Sequence, residues 1–87
     1  MIDTPDDAVR AAILRLLKER GPGKTICPSE AARALARDDW RQLMPAVHRL
    51  AADMARAREV AMYQKGRPVG PAEARGAYRL GLPVPQD

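Results

Sequence analysis

The hydrophobic rhythm of this chain changes once. Up to Arg58, apolar residues recur at the three-and-four spacing of amphipathic helices. Beyond it, Val60 and Met62 alternate with Ala61 and Tyr63, the period of two that belongs to a strand. A chain with one such switch must pack a short ribbon onto a group of helices, because a two-stranded hairpin is marginal by itself. At 87 residues there is room for one domain. The chain has no Phe and only three aromatic residues, Trp40, Tyr63 and Tyr78. Its core is therefore expected to be Leu, Ile, Val and Met packed against alanine.

Punctuation divides the helical part into three. Thr4 suits an N-cap, Pro5 the first helical position, and Asp6 and Asp7 the positive end of a helix dipole. Val9, Ala12, Ile13, Leu16 and Leu17 form one face, and Gly21-Pro22 ends a first helix of about residues 5–20. Lys24-Thr25-Ile26 is long enough only for a small strand. Cys27-Pro28-Ser29-Glu30 opens a second helix, with Cys27 as cap, Pro28 at the first position and Glu30 placed to reach back to the cap. It is expected to run to about Arg37 with Ala31, Ala34 and Leu35 inward. Asp38 or Asp39 caps a third helix whose buried side is centred on Val47, with Trp40, Leu43, Met44, Leu50, Ala51 and Met54 within about 60° of it. Pro45 leaves open whether that helix starts at Trp40 or near the proline itself.

After the switch, strands are expected near 59–65 and 76–82, with Gln64-Lys65-Gly66-Arg67-Pro68 as a turn and a polar loop between Gly70 and Gly76. The order is helix, short strand, helix, turn, helix, ribbon. The short link between the second and third helices has the spacing of a helix-turn-helix. The fold class is then α+β, mainly α: a winged helix-turn-helix of three helices plus a C-terminal two-stranded β-wing. Residues 1–4 form an extension, 5–82 the domain and 83–87 a flexible tail.

The sequence also resembles a family of small bacterial domains of unknown function with a winged-helix fold. The resemblance lies in Gly21-Pro22-Gly23-Lys24-Thr25-Ile26-Cys27-Pro28-Ser29-Glu30, in Asp39-Trp40-Arg41-Gln42-Leu43-Met44-Pro45-Ala46-Val47, and in Gln64-Lys65-Gly66-Arg67-Pro68-Val69, and spans about residues 8–83. It implies the fold and a cytosolic location. It carries over no functional residue, because the family has no established activity.

Charge points to a partner. The formal net charge is +4, yet between Ala8 and Gln86 all 15 basic residues face 7 acidic ones, and 12 of the 15 are Arg. A basic, Arg-rich body is the electrostatic footprint of a nucleic-acid partner, although it also suits a merely solvated surface. The third helix should turn Arg41, Gln42, Arg49 and Arg56 outward, where a duplex major groove admits one helix. Lys65, Arg67 and Arg75 on the ribbon tip would meet phosphates. The plain alternative is an exposed charged face and a mobile loop. The runner-up function is a protein-interaction module on the same scaffold, with a protein partner or a weak homodimer using the ribbon edge or the third helix.

Other chemistry is weakly supported. Cys27 at a helix start is a redox candidate, since the dipole stabilises thiolate, but free cysteines are more often packed, half-buried residues. A Cys27–His48 catalytic pair lacks an orienting carboxylate, so no enzyme is expected. One Cys and one His fall short of a metal site, and no cofactor is expected. Gly21-Pro22-Gly23-Lys24-Thr25 lacks the spacing of a phosphate loop. Trp40 is a core anchor, and Tyr63 and Tyr78 are expected to pair across the ribbon. No run reaches the roughly 18 apolar residues of a membrane span and no signal peptide is apparent. The single cysteine fits a cytoplasmic location.

Overall fold

In the computed structural model, residues 6–83 are described. Helix α1 (Asp6–Arg20) is followed by strand β1 (Thr25–Ile26), helix α2 (Pro28–Leu35), helix α3 (Trp40–Arg56) and strands β2 (Ala61–Gln64), β3 (Arg67–Val69) and β4 (Arg79–Gly81). Three helices and a small antiparallel sheet make a mixed, mainly helical α+β domain. The expected caps Thr4 and Pro5, the 1–4 extension and tail residues 84–87 lie outside the described residues.

Each helix end has a physical cause. Gly21 takes φ +96° and its N–H closes on the Leu17 carbonyl at 2.9 Å, which stops α1. Cys27 caps α2 in an extended conformation, and Glu30 Oε2 accepts its backbone N–H at 2.7 Å. Helix α2 stops at Leu35 rather than Arg37 because Ala36 is extended, with ψ 111°. Within it Ala31 and Ala32 are buried while Ala34, expected inward, is exposed. Helix α3 begins at Trp40 and passes through Pro45. Asp39 holds the N-cap position without a side-chain cap bond. Arg58 ends α3 with φ 62°, its N–H on Ala55 O and the Glu59 N–H on Met54 O. This is a Schellman turn with arginine where glycine is usual.

The expected two-stranded ribbon is corrected to a four-stranded sheet in the order β1-β4-β2-β3. Two residues of β1 suffice to pair with β4. The chain turns back at once after Gln64, so Arg67–Val69 forms a strand where the sequence suggests that the turn runs on through Pro68. One row, Ile26, Leu80, Met62 and Val69, crosses all four strands. Its first three members are buried against Val9, Ile13, Leu17, Val47 and Met54. The next positions along the strands point to the outer face, as the period of two requires. There Tyr63 stands opposite Arg79 and Pro68, not Tyr78 as expected. Its ring lies over Gly81, where an added Cβ would meet Tyr63 Cε2 at 2.9 Å.

Ion pairs lock the helices to this frame. Arg10 of α1 holds Glu59 with two bonds of 2.8 and 2.6 Å, and Arg20 at the end of α1 reaches Glu30 at 2.6 Å. The Arg20 bond, chiefly, keeps the Glu30 carboxyl below the usual glutamate range. A carboxyl lowered on folding stabilises above its unfolded pKa, and that stabilisation is lost as pH falls through the folded value. Glu30→Gln is therefore expected to lower the melting temperature at pH 7 and to melt like the native chain at a pH below the folded value. Melts at both pH values check this. On the sheet, Gly81→Ala is expected to destabilise by about 1 kcal/mol by displacing the Tyr63 ring. In a Tyr63→Ala background the same change should stabilise by about 0.5 kcal/mol, since only the glycine entropy term remains. A double-mutant cycle of melts tests the change of sign.

Candidate nucleic-acid interface

The β2–β3 hairpin turns on Lys65 and Gly66, with φ of 53° and 76°. Two successive positive φ values are the requirement of a type I′ turn, whose twist matches the flanking strands. The Gln64 side chain just before it then reaches sideways. Its Nε2 donates to the carbonyls of Arg75 and of Ala77 (2.9 Å), and its Oε1 accepts the Arg75 N–H at 3.4 Å. This amide fastens the 70–78 loop to the hairpin. The loop is itself wound tightly at its start, where Glu73 and Ala74 both donate to Gly70 O at 3.0 Å.

The result is a groove of about 760 Å³ lined by Gln64, Lys65, Arg67, Pro68, Val69, Arg75 and Ala77. Three of the residues singled out from the sequence, Lys65, Arg67 and Arg75, thus share one concave surface. Among the described residues, none of the three makes an ion pair with a carboxylate, and no carboxylate lines the groove.

The α3 row is different. Arg41, Gln42, Arg49 and Arg56 are all exposed, as expected. Arg49, however, holds Asp6 of α1 with bonds of 3.1 and 3.0 Å, and Arg56 holds Asp53 at 2.9 Å. The hydrogen bond from Arg49 keeps the Asp6 carboxyl below the usual range. Both pairs are open to solvent, and such pairs are weak and screened by salt. Arg41 stacks 4.5 Å from the centre of the Trp40 ring, and Arg33 of α2 lies over the same ring at 4.5 Å. Trp40 is half-buried, so it serves the core with its body and the two guanidinium groups with its ring.

Cys27 is half-buried and its sulfur accepts the Ser29 hydroxyl at 3.2 Å. His48 is exposed. Its Nδ1 lies 2.7 Å from the Tyr78 hydroxyl, with the two rings edge to face. Burial, and secondarily Cys27, push the Tyr78 hydroxyl up to about 12, so it stays protonated at any working pH. This contact ties the base of the 70–78 loop to α3. Among the described residues no three His, Cys, Asp or Glu side chains converge as metal ligands, and no helix is long and apolar enough to cross a membrane.

The sequence matches a protein family over residues 6–83, nearly all of the chain. The chain belongs to the family described as "Protein of unknown function (DUF3253)". No curated protein matches it.

Two residues of this DUF3253 domain matter to the surface and were not singled out from sequence. Arg33 is placed by the α2–α3 turn, and nothing local announces its ring partner. Gln64 could have been suspected from its position beside a Lys-Gly turn, but its three bonds depend on how the loop returns. Its role is measurable. Gln64→Ala is expected to lower stability by no more than about 1 kcal/mol and to speed tryptic cleavage after Arg75 several-fold. A time course of limited proteolysis reads this directly.

Proposed function

We propose that this DUF3253 domain is a winged helix that binds nucleic acid, with duplex DNA as the partner and the β2–β3 wing as the principal contact. The scaffold reading is supported by the element order and by strand β4 pairing with both β1 and β2. The partner reading is carried by one observation: Lys65, Arg67 and Arg75 surround a single groove that contains no described carboxylate. Such a groove follows a phosphate backbone, and release of counterions supplies the affinity. Arg41 and Gln42 at the start of α3 are the side chains for base edges. Arg49 and Arg56 join only when phosphate displaces Asp6 and Asp53. The proposal is of a binding domain without catalysis or cofactor, working in the cytoplasm.

A second reading is favoured by those same two pairs. With Arg49 and Arg56 neutralised from within, the middle of α3 has the balanced charge that suits a protein partner. Salt dependence separates the two.

Fluorescence anisotropy with a random duplex at two salt concentrations is the test. Three phosphate contacts give a slope of log affinity on log salt of about −2.7. Replacing Lys65, Arg67 and Arg75 together by Ala is expected to lower affinity at least tenfold at low salt and to remove most of the slope. Arg49→Ala with Arg56→Ala should change affinity by less than threefold. Absence of duplex binding at low salt, or binding indifferent to salt, rejects the nucleic-acid reading.

A further inference from the structure

The outer face of the sheet carries a second basic cleft, on other residues. Thr25, Tyr63 and Arg79 project from three neighbouring strands to the same side. With Lys24 and Leu82 they line a cleft of about 400 Å³, within the size range of small-molecule sites.

Its polar groups are held in one sense. Arg79 Nε donates to Thr25 Oγ1 at 2.7 Å and Nη2 to Thr25 O at 3.3 Å, which fixes the guanidinium against β1. Its Nη1 has no partner among the described residues. The Thr25 hydroxyl accepts from Arg79 and keeps its own proton to donate. Lys24 makes no described ion pair. Glu30 is the carboxylate whose charge reaches Arg79, but it is already engaged by Arg20 at 2.6 Å and by the Cys27 N–H. What remains is a cleft that offers donors and two positive charges. The Tyr63 ring, over the Gly81 backbone, and Leu82 form its apolar wall.

A site lined by two cations and no described carboxylate is matched by an anion, and two cations match a charge of about −2, that of a phosphate monoester. The Tyr63 ring matches a second planar ring at offset-stacking distance. We infer that this cleft binds a small aromatic phosphate monoester, with the phosphate on Arg79 and Lys24 and the ring against Tyr63. The Gly21-Pro22-Gly23 turn contributes Gly23 to the lining and the position of Lys24. Gly66 of the β2–β3 turn also lines the cleft, but the site uses none of the side chains of Lys65, Arg67 and Arg75, so it stands or falls separately from that basic groove.

The test is a titration of the full chain followed by amide chemical shifts, with phenyl phosphate, inorganic phosphate and phenol as probes. Phenyl phosphate is expected to saturate and to move the amides of Thr25, Tyr63 and Arg79. Inorganic phosphate should move the same amides at least fivefold more weakly, and phenol should not saturate. Arg79→Gln should weaken phenyl phosphate at least tenfold, and the exposed Lys24→Gln, which disturbs no described contact, several-fold. Tyr63→Leu should abolish the advantage of phenyl phosphate over inorganic phosphate. Replacement of Lys65, Arg67 and Arg75 by Ala should leave phenyl phosphate binding unchanged. The inference is overturned if phenyl phosphate gives no saturable shift, if its shifts centre on Lys65, Arg67 and Arg75, or if Lys24→Gln binds it as the native chain does.

Discussion

Everything in this domain hangs on the pairing of Ile26 with Leu80. The two residues lie far apart in the chain, and their strands hold only two and three residues. Through Leu80, strand β4 also pairs with β2, so one buried row joins the link between α1 and α2 to the end of the ribbon. A hairpin alone would be marginal. Here it is the edge of a sheet whose inner face is closed by α1 and α3.

Much of the helical part was legible because its signals are local. The Gly21 stop, the Cys27–Glu30 cap and the Val47 face of α3 are each set by residues within a turn of one another. The local signals fall short where neighbours at long range decide. Ala32 rather than Ala34 is buried because the facing helices set the packed side of a short, alanine-rich helix. Strand β3 is not legible because Arg67-Pro68-Val69 has no alternating signal. It is a strand only because a two-residue turn delivers it beside β2. Tyr63 and Tyr78 carry no information about register, and the long-range pairing of β2 with β4 puts Arg79 opposite Tyr63.

The same distinction runs through the candidate sites. Lys65, Arg67 and Arg75 could be read as a basic tip because they flank glycines. Their convergence could not, since it needs the Gln64 amide to draw the loop inward. On α3 the sequence shows the arginines but not their partners. Asp6 reaches Arg49 across 43 residues, through the packing of α1 beside α3. The positive potential of the chain is therefore not spread evenly along the third helix. Lys65, Arg67 and Arg75 on the β2–β3 hairpin and its loop, and Lys24 and Arg79 on the outer face of the sheet, instead line clefts that no described carboxylate lines.

Pro68 has a consequence for how the molecule behaves in a crowd. In a two-residue hairpin the pair flanking the turn, Gln64 and Arg67, carries the ladder bonds, so the next pair, Tyr63 and Pro68, does not. The missing N–H of Pro68 thus costs β2 nothing. It is the donor that would have faced outward, and its neighbours Arg67 and Val69 turn theirs inward. The rim of this strand offers a fifth strand the Pro68 carbonyl but no N–H, which weakens edge-to-edge pairing into fibrous aggregates there.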